Sequence, residues 1–240
     1  MVELIAEVSS NHGGDLGLAK EFIHRFAEAG ADWVKFQTTR VKHLRREDPQ
    51  YEWFKRAELS DEAHHILKAE CEQVGTKFLT TVYHAADVPL LKSLGLTAVK
   101  IGSGEAHDYR LERATVAFRT RFVGCGLTSP TRVDGHAVRR LKCVTRYPAP
   151  AMTAWDVYEK ERFHNDQWEA WYEGWSDHCV GLDGCKTAIC CGATIIEKHV
   201  CLDHQARPVK SFEATIEEFK ELRAFADEDP TRFIGRWQCA

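Results

Sequence analysis

Hydrophobic and polar positions follow two rhythms that alternate along most of the chain. Short apolar runs typical of buried strands are followed by segments whose apolar residues lie three and four positions apart, as in helices. This alternation predicts βα units and a parallel sheet. The predicted strands are Glu3–Ser9, Trp33–Thr39, Thr76–Tyr83, Ala98–Ser103, Arg121–Gly126, Leu141–Thr145, Gly174–His178 and Thr194–Val200.

The helical spacing is clearest from Leu16 to Ala27. The other predicted helices are Asp61–Val74, Asp87–Leu94, Leu111–Phe118, Thr153–Asn165, Cys185–Gly192 and Thr215–Ala226. The stretch from Thr128 to Arg140 is too short for a loop, a full helix and a second loop, so the fifth helix is predicted to be shortened. Eight strands with right-handed crossovers close most simply into a (β/α)8 TIM barrel of the α/β class.

Composition agrees with one domain over residues 1–240, because 240 residues with 44% hydrophobic content can bury one sizeable core. The alternative, an open doubly wound sheet, is disfavoured because no G-x-G-x-x-G follows the first strand. The net charge of −4 is spread without long single-sign blocks, so neither a nucleic acid nor a membrane surface is an expected partner.

Targeting signals and cysteine patterns narrow the class of protein further. Met1 is followed by a strand-like run rather than a signal peptide, and no stretch of about 18 apolar residues is present, so a cytoplasmic location is expected. The nine cysteines include no C-x-x-C pair, which predicts neither a disulfide framework nor a zinc knuckle.

Polar residues at the carboxyl ends of the strands are the candidates for function, because barrel active sites lie at that end. The period of two places Lys35 and Gln37 on one face of the second strand, where a buried lysine is costly unless it meets an anion. The fourth strand ends with Lys100, Ser103 and Glu105 among glycines, a combination suited to holding a phosphate or carboxylate.

Two histidines end neighbouring strands and are candidates for a shared metal site. His178 ends the seventh strand next to Asp177, and His199 lies at the end of the eighth, two residues after Glu197. Histidine, carboxylate and water suit Mn, Fe, Co, Zn or Mg to differing degrees. The alternative at this stage is a pair of hydrogen-bonded structural histidines.

Several segments, in order along nearly the whole chain, resemble the sialic acid synthase family, which comprises N-acetylneuraminate, legionaminate and pseudaminate synthases. They are AEVSSNHGGD at 6–15, AEAGADWVKFQ at 27–37, VKIGSGE at 99–105, CVTRYPAP at 143–150, WSDH at 175–178 and ATIIEKH at 193–199. The resemblance implies a metal-dependent transferase that condenses phosphoenolpyruvate with an open-chain sugar aldehyde and releases phosphate. It also implies a homodimer by analogy.

Site roles are carried over from the family to matching positions. The resemblance assigns phosphoenolpyruvate to Lys35, Lys100, Ser103 and Ser176, and a divalent metal, Mn or Mg, to His178 and His199. Glu7, Glu105, Lys100 and Tyr147 are the expected catalytic residues. The expected contacts to the second substrate are Asn11, Gln37, Thr80, Arg146 and Arg207.

The chain departs from the family pattern around the second substrate. The turn at 124–127 reads GCGL where the family has Ser-Thr-Gly-Met, so a phosphate-binding hydroxyl is lost unless Thr128 or Ser129 replaces it. Residues 207–211 read RPVKS in place of Pro-Gly-Pro-Asp-His, and the sequence stops at Ala240 without the family's antifreeze-like domain. We therefore expect an altered aldehyde and a cation supplied by Arg146 or Arg207.

Two other functions stay open from the sequence. One is a metal-dependent lyase or aldolase acting on a phosphorylated compound, and the other is a non-catalytic barrel subunit. The subunit is disfavoured because a scaffold needs none of the lysines and histidines that gather at the strand ends.

Overall fold

Eight parallel strands form a closed barrel in sequential order, β1 to β8, with β8 pairing back to β1. The structure is a computed structural model that describes residues 1–127, 138–150 and 172–228. The strands are Glu3–Ser9, Trp33–Thr38, Lys77–Val82, Ala98–Ile101, Thr120–Cys125, Val138–Cys143, Gly174–Asp177 and Ile195–His199. The predicted (β/α)8 barrel is confirmed.

Seven α-helices lie in the described ranges. In chain order, α1 to α7 are Leu16–Glu28, Tyr51–Ala57, Asp61–Val74, Val88–Ser93, Tyr109–Thr115, Asp183–Cys190 and Ile216–Asp227. The second was not predicted, because it is a short helix in a charged, irregular stretch after β2. The predicted helix Thr153–Asn165 and the shortened fifth helix lie outside the described residues.

Local signals fix the helix starts. Asp15 accepts a hydrogen bond from the Leu18 N–H at 3.0 Å and caps α1. Thr215 and Glu218 form a reciprocal capping box at α7. The first helix then buries Phe22 and Phe26 against the barrel's outer face.

Strand β6 begins at Val138, three residues before the predicted start at Leu141. Arg139 and Arg140 interrupt the apolar pattern, yet both pair with β5 near the amino-terminal end of the barrel. The pairing with β5 therefore sets the start of β6, which the hydrophobic pattern alone does not predict.

An apolar layer fills the amino-terminal half of the barrel interior. It consists of Ile5, Trp33, Leu79, Ala98, Phe122, Leu141 and Ile195. Trp33 and Phe122 meet edge to face with ring centroids 5.5 Å apart. Inward positions nearer the carboxyl ends of the strands are polar, and the interior opens into a cavity at that end. Within the described ranges, no helix combines the length and apolarity needed to span a bilayer.

His12, directly after β1, is a buried neutral imidazole. Its Nδ1 accepts the Gly14 N–H at 3.1 Å, and its side chain is almost fully buried. Burial lowers the pKa of His12 to about 4, and nearby His64 acts in the same direction. In the unfolded chain the pKa of histidine is about 6.5, so the unfolded state binds the proton first as the pH falls.

Folding stability is therefore expected to decrease as the pH is lowered through this window. The free energy of unfolding is at its full value above about pH 6.5 and decreases towards pH 4, by up to about 3 kcal/mol from His12. His12→Asn keeps an acceptor for Gly14 and removes the titration, so urea unfolding at a series of pH values should show a flatter slope. The exposed His107→Asn serves as control, and equal slopes in both variants would refute the role of His12.

Candidate active site

A cavity of about 220 Å³ lies at the carboxyl end of the barrel. All eight strands, or the segments directly after them, contribute to its wall. The lining residues are Glu7, Lys35, Gln37, Thr81, Tyr83, Lys100, Gly102, Ser103, Gly104, Glu105, Leu127, Cys143, Thr145, Tyr147, Ser176, His178, Glu197 and His199. Charged and hydroxyl groups dominate this wall, so the cavity is suited to a polar, anionic ligand.

Two buried lysines flank one carboxylate at the base of the cavity. Glu197 Oε1 lies 3.3 Å from Lys100 Nζ, and Glu197 Oε2 lies 3.7 Å from Lys35 Nζ. Ser176 donates to Glu197 at 2.9 Å, and Lys35 also contacts Glu7 at 2.9 Å. All four charged side chains are almost fully buried. The network thus pairs both buried ammonium groups with carboxylates.

The pKa values of the two carboxyl groups in this network, Glu197 and Glu7, are shifted in opposite directions. Burial alone would raise the pKa of Glu197, but Lys100 and Lys35 outweigh it and hold that pKa well below the usual range. Burial raises the pKa of Glu7 despite the opposing effect of Lys35, and the charge on Glu197 adds to the rise. Glu197 is therefore a fixed anion, whereas Glu7 is the group better placed to exchange a proton.

Lys100 has unused hydrogen-bonding capacity. Among the described residues, Glu197 is the one acceptor of its ammonium group, at 3.3 Å, although an ammonium carries three donors. Burial would lower the pKa of Lys100, but Glu197 and then Cys143 raise it, so the group stays protonated. A buried cation with free donors that line a cavity is an anion site.

Ser103 occupies the space that a side chain at position 124 would need. A Cβ on Gly124 would lie 2.9 Å from Ser103 Oγ and 3.1 Å from Ser103 N, which is too close without a shift. Ser103 Oγ accepts the Gly126 N–H at 3.0 Å and lies 3.1 Å from Cys143 Sγ. The glycine is therefore matched to this serine. Thr128 and Ser129, the expected replacements for the lost hydroxyl, lie outside the described residues.

His178 and His199 converge at the cavity rim with ring centroids 5.4 Å apart. Val144 O, which can only accept, lies 2.6 Å from His178 Nδ1, so Nδ1 carries the proton and Nε2 is left as a ligand atom. Burial lowers the pKa of both rings, which favours the neutral form that binds metals.

These properties fit a divalent metal with an open coordination sphere. Two neutral imidazole nitrogens would be its protein ligands. Within the described ranges, no group of three or more His, Cys, Asp or Glu side chains forms a complete metal cage. Water and substrate would therefore supply the other ligands, as in catalytic rather than structural sites.

An ion pair behind the rim joins the two histidine-bearing strands. Lys198 Nζ donates to Asp177 Oδ2 at 2.5 Å and to Cys179 O at 2.7 Å, and Trp175 Nε1 donates to Asp177 Oδ1 at 2.8 Å. Asp177 and Lys198 are register partners between β7 and β8 and face away from the cavity. Each precedes a rim histidine, so the pair fixes the strands that carry both rings.

Most of the predicted site residues come together in the cavity. Those that line it are Glu7, Lys35, Gln37, Lys100, Ser103, Glu105, Tyr147, Ser176, His178 and His199. Gln37 donates to Glu7 at 2.9 Å, which links the second-substrate and catalytic candidates. Burial raises the pKa of Glu105. Tyr147 is 54% exposed, yet partial desolvation at the cavity raises the pKa of its phenol, which stays protonated as a donor.

Four predicted contacts to the second substrate lie elsewhere. Thr80 points to the outer layer, where its hydroxyl lies 2.9 Å from that of Thr38, and the neighbouring Thr81 lines the cavity instead. Asn11 is a structural residue whose amide donates to Val200 O at 3.1 Å and to Glu213 at 3.0 Å. Arg146 is exposed outside the cavity wall. Arg207 also lies outside that wall and stacks on Trp53.

Apart from two glycines, sequence reasoning assigned no site role to six residues of the wall, namely Thr81, Tyr83, Leu127, Cys143, Thr145 and Glu197. Glu197 could have been found, because the period of two places it on the inward face with His199. Tyr83 follows β3 just beyond the last paired residue, and no local signal shows that it turns into the cavity.

The NeuB family profile matches residues 22–228, most of the chain. This chain belongs to the NeuB family. The predicted family is therefore confirmed, and the synthase names of its relatives agree with an enzyme of the synthase type.

Individual relatives agree with the family assignment. The NeuB chain is 31% identical over 231 residues to the N,N'-diacetyllegionaminic acid synthase of Legionella pneumophila, covering 83% of this chain and 64% of that protein. It is 27% identical over 265 residues to the pseudaminic acid synthase of Helicobacter pylori, covering 95% and 76%. It thus spans about two thirds to three quarters of the length of these relatives.

A solved structure supports the fold. The N-acetylneuraminic acid synthetase of Leptospira borgpetersenii superposes with a TM-score of 0.83 and 24% identity, over all of this NeuB chain and 87% of that one. At this identity the likeness establishes the barrel architecture alone.

Proposed function

We propose that the protein condenses phosphoenolpyruvate with a sugar or sugar-like aldehyde, forming a carbon–carbon bond and releasing phosphate. The observation that carries the proposal is the buried ammonium of Lys100, which has donors to spare, lines the cavity and shares Glu197 with Lys35. A small dianionic or trianionic ligand fits this chemistry. The names of the family relatives, synthases of nonulosonic acids, support the reaction type.

Phosphoenolpyruvate is assigned to the lysine side of the cavity. Lys35 and Lys100 neutralise its phosphate and carboxylate, while the Ser103 and Ser176 hydroxyls supply hydrogen bonds. Glu197 lies between the two ammonium groups and contacts both, so the lysine side chains are positioned before the ligand arrives.

The aldehyde is assigned to the part of the wall beside the lysines, with Glu7, Gln37, Glu105 and Tyr147 as contacts to its hydroxyls. The reaction joins C3 of phosphoenolpyruvate to the aldehyde carbon, and the cationic C2 that results captures a water molecule. Of the two protons of that water, one ends on the former aldehyde oxygen, which becomes a hydroxyl, and the other leaves with phosphate when C2 becomes a ketone. Glu7, the carboxyl with the raised pKa, takes the first of these protons, after which the C2–O bond to phosphate breaks.

His178 and His199 are the residues that would hold a divalent cation, Mn or Mg, which would supply Lewis-acid polarisation of the aldehyde oxygen. His178→Ala is expected to weaken Mn binding by at least about tenfold, because half of the protein ligands are lost. Titration calorimetry of the metal-free protein measures this directly. The exposed His107→Ala is the control, and equal affinities in both variants would exclude the pair as the metal site.

Phosphate release tests the function. Release should require phosphoenolpyruvate, a divalent cation and one member of an aldehyde panel together. Release from a different phosphorylated compound, with no response to any aldehyde, would instead favour the lyase. The homodimer, the single domain over residues 1–240 and the cytoplasmic location stay predictions.

A further inference from the structure

Three basic side chains lie together at the barrel rim, outside the cavity wall. Arg56 belongs to α2, which follows β2, whereas Arg207 and Lys210 belong to the segment after β8. Both segments leave the carboxyl ends of strands that flank β1. The three residues, here called the rim cluster, therefore lie at the same end of the barrel as the cavity.

Aromatic stacking holds the rim cluster in place. The guanidinium groups of Arg207 and Arg56 lie 4.1 and 4.6 Å from the centroid of the Trp53 ring. Trp53 Nε1 donates to Ser10 Oγ at 3.1 Å, which fixes the indole to the end of β1. A Cβ on Gly13 would lie 2.4 Å from Ala206 Cβ and 3.3 Å from the Trp53 ring, so the two segments close tightly over this loop.

Within the part of the chain that the structure describes, the positive charges of the rim cluster form no ion pair. Among the described residues, no carboxylate oxygen lies within 4.0 Å of any of the three basic groups, whereas Arg40 and Arg223 each contact two carboxylates. The nearby Glu213 is engaged elsewhere. Its carboxylate accepts from the side chains of Asn11 and Gln205 and from the Lys210 N–H, at 3.0, 3.1 and 2.9 Å.

The shared Trp53 ring brings the charges of Arg56 and Arg207 together, and the directions of two pKa shifts agree with this placement. Partial burial lowers the pKa of Lys210, and Arg207 is the next cause. Arg56 likewise lowers the pKa of Arg207, after burial and against Glu213. Three cations held together without a counter-charge repel one another, which destabilises the folded protein. An oxyanion bound between them makes the net electrostatic interaction attractive. Arg207 donates from one NH2 group to Gln50 Oε1 at 3.3 Å, and the other N–H groups of the stacked guanidinium stay available for such a ligand.

We infer that the rim cluster binds an oxyanion, a phosphate or a carboxylate, at a second anion site separate from the cavity. Because both sites lie at the same end of the barrel, the oxyanion belongs to the second substrate, at the end remote from its aldehyde group. This assignment to the substrate rests on the proposed function, but the anion site itself does not.

Binding of inorganic phosphate tests the anion site without any reaction. Phosphate is titrated by calorimetry into a Lys35→Met, Lys100→Met variant, whose cavity lacks both cations. We expect residual binding that weakens at least about tenfold when Arg207→Gln is added and that Arg207→Lys partly restores. The exposed Arg110→Gln is the matched control, and melting curves verify that each variant is folded. Equal phosphate affinity with and without Arg207 would overturn the site.

Matched aldehydes that differ only in a terminal phosphate or carboxylate test the substrate assignment. In phosphate-release assays the wild-type protein should prefer the anionic aldehydes at least about tenfold, and Arg56→Gln with Arg207→Gln should bring the ratio close to one. Phosphate binding at the rim with no such preference would overturn the link to the substrate. Absence of turnover with every aldehyde would reject the proposed function, while the calorimetric result on the rim cluster would still stand.

Discussion

Replacement of Lys100 by methionine should lower kcat/KM for phosphoenolpyruvate by about 10³-fold or more. Methionine keeps most of the side-chain volume but removes a buried cation that lies 3.3 Å from Glu197 and faces the cavity. Both the attraction for the phosphate and the neutralisation of Glu197 are lost. The measurement is steady-state phosphate release over a range of phosphoenolpyruvate concentrations.

Lys92→Met is the matched control, because Lys92 lies exposed on α4. It should retain wild-type kinetics. A Lys100→Met protein that is folded and within about threefold of the wild type would show that the anion is held elsewhere.

The buried pair Asp177–Lys198 should produce the largest effect on stability. Both side chains are almost completely buried, so removing one leaves an uncompensated charge in the protein interior. Lys198→Met and Asp177→Asn are each expected to lower the free energy of unfolding by about 3–5 kcal/mol. The double variant Asp177→Leu, Lys198→Met should recover most of that loss, because no lone charge remains. Urea unfolding measures all three.

The exposed pair Lys186–Glu221 provides the control for this effect. Its N–O distance is also 2.5 Å, but the glutamate is largely solvated. Lys186→Met should cost less than about 1 kcal/mol. If Lys198→Met costs no more than Lys186→Met, the buried pair does not stabilise the junction of β7 and β8.

The fold was predictable because its signals are local. Strand β1 and helix α3 have the predicted ends, and the period of two placed Lys35 and Gln37 on the inward face. The role assigned to Thr80 came from the family resemblance rather than from this rule, and in β3 the adjacent residues Thr80 and Thr81 are equally polar. Only the pairing with β2 and barrel closure decide that Thr81 faces inward.

Long-range contacts account for the remaining differences between the predicted and the observed site. The role of Glu197 follows from two lysines on distant strands, and the position of Arg207 follows from Trp53, which belongs to a helix that the pattern did not show. Loop paths of this kind are set by tertiary packing rather than by sequence periodicity.

The proposed condensation is tested most directly by the product formed from phosphoenolpyruvate labelled with ¹³C at C3. With an accepted aldehyde and Mn, we expect one phosphate released per product molecule. We also expect a labelled product whose mass equals that of the aldehyde plus pyruvic acid, with the label bonded to the former aldehyde carbon. Labelled pyruvate and phosphate alongside unchanged aldehyde would contradict the proposed condensation.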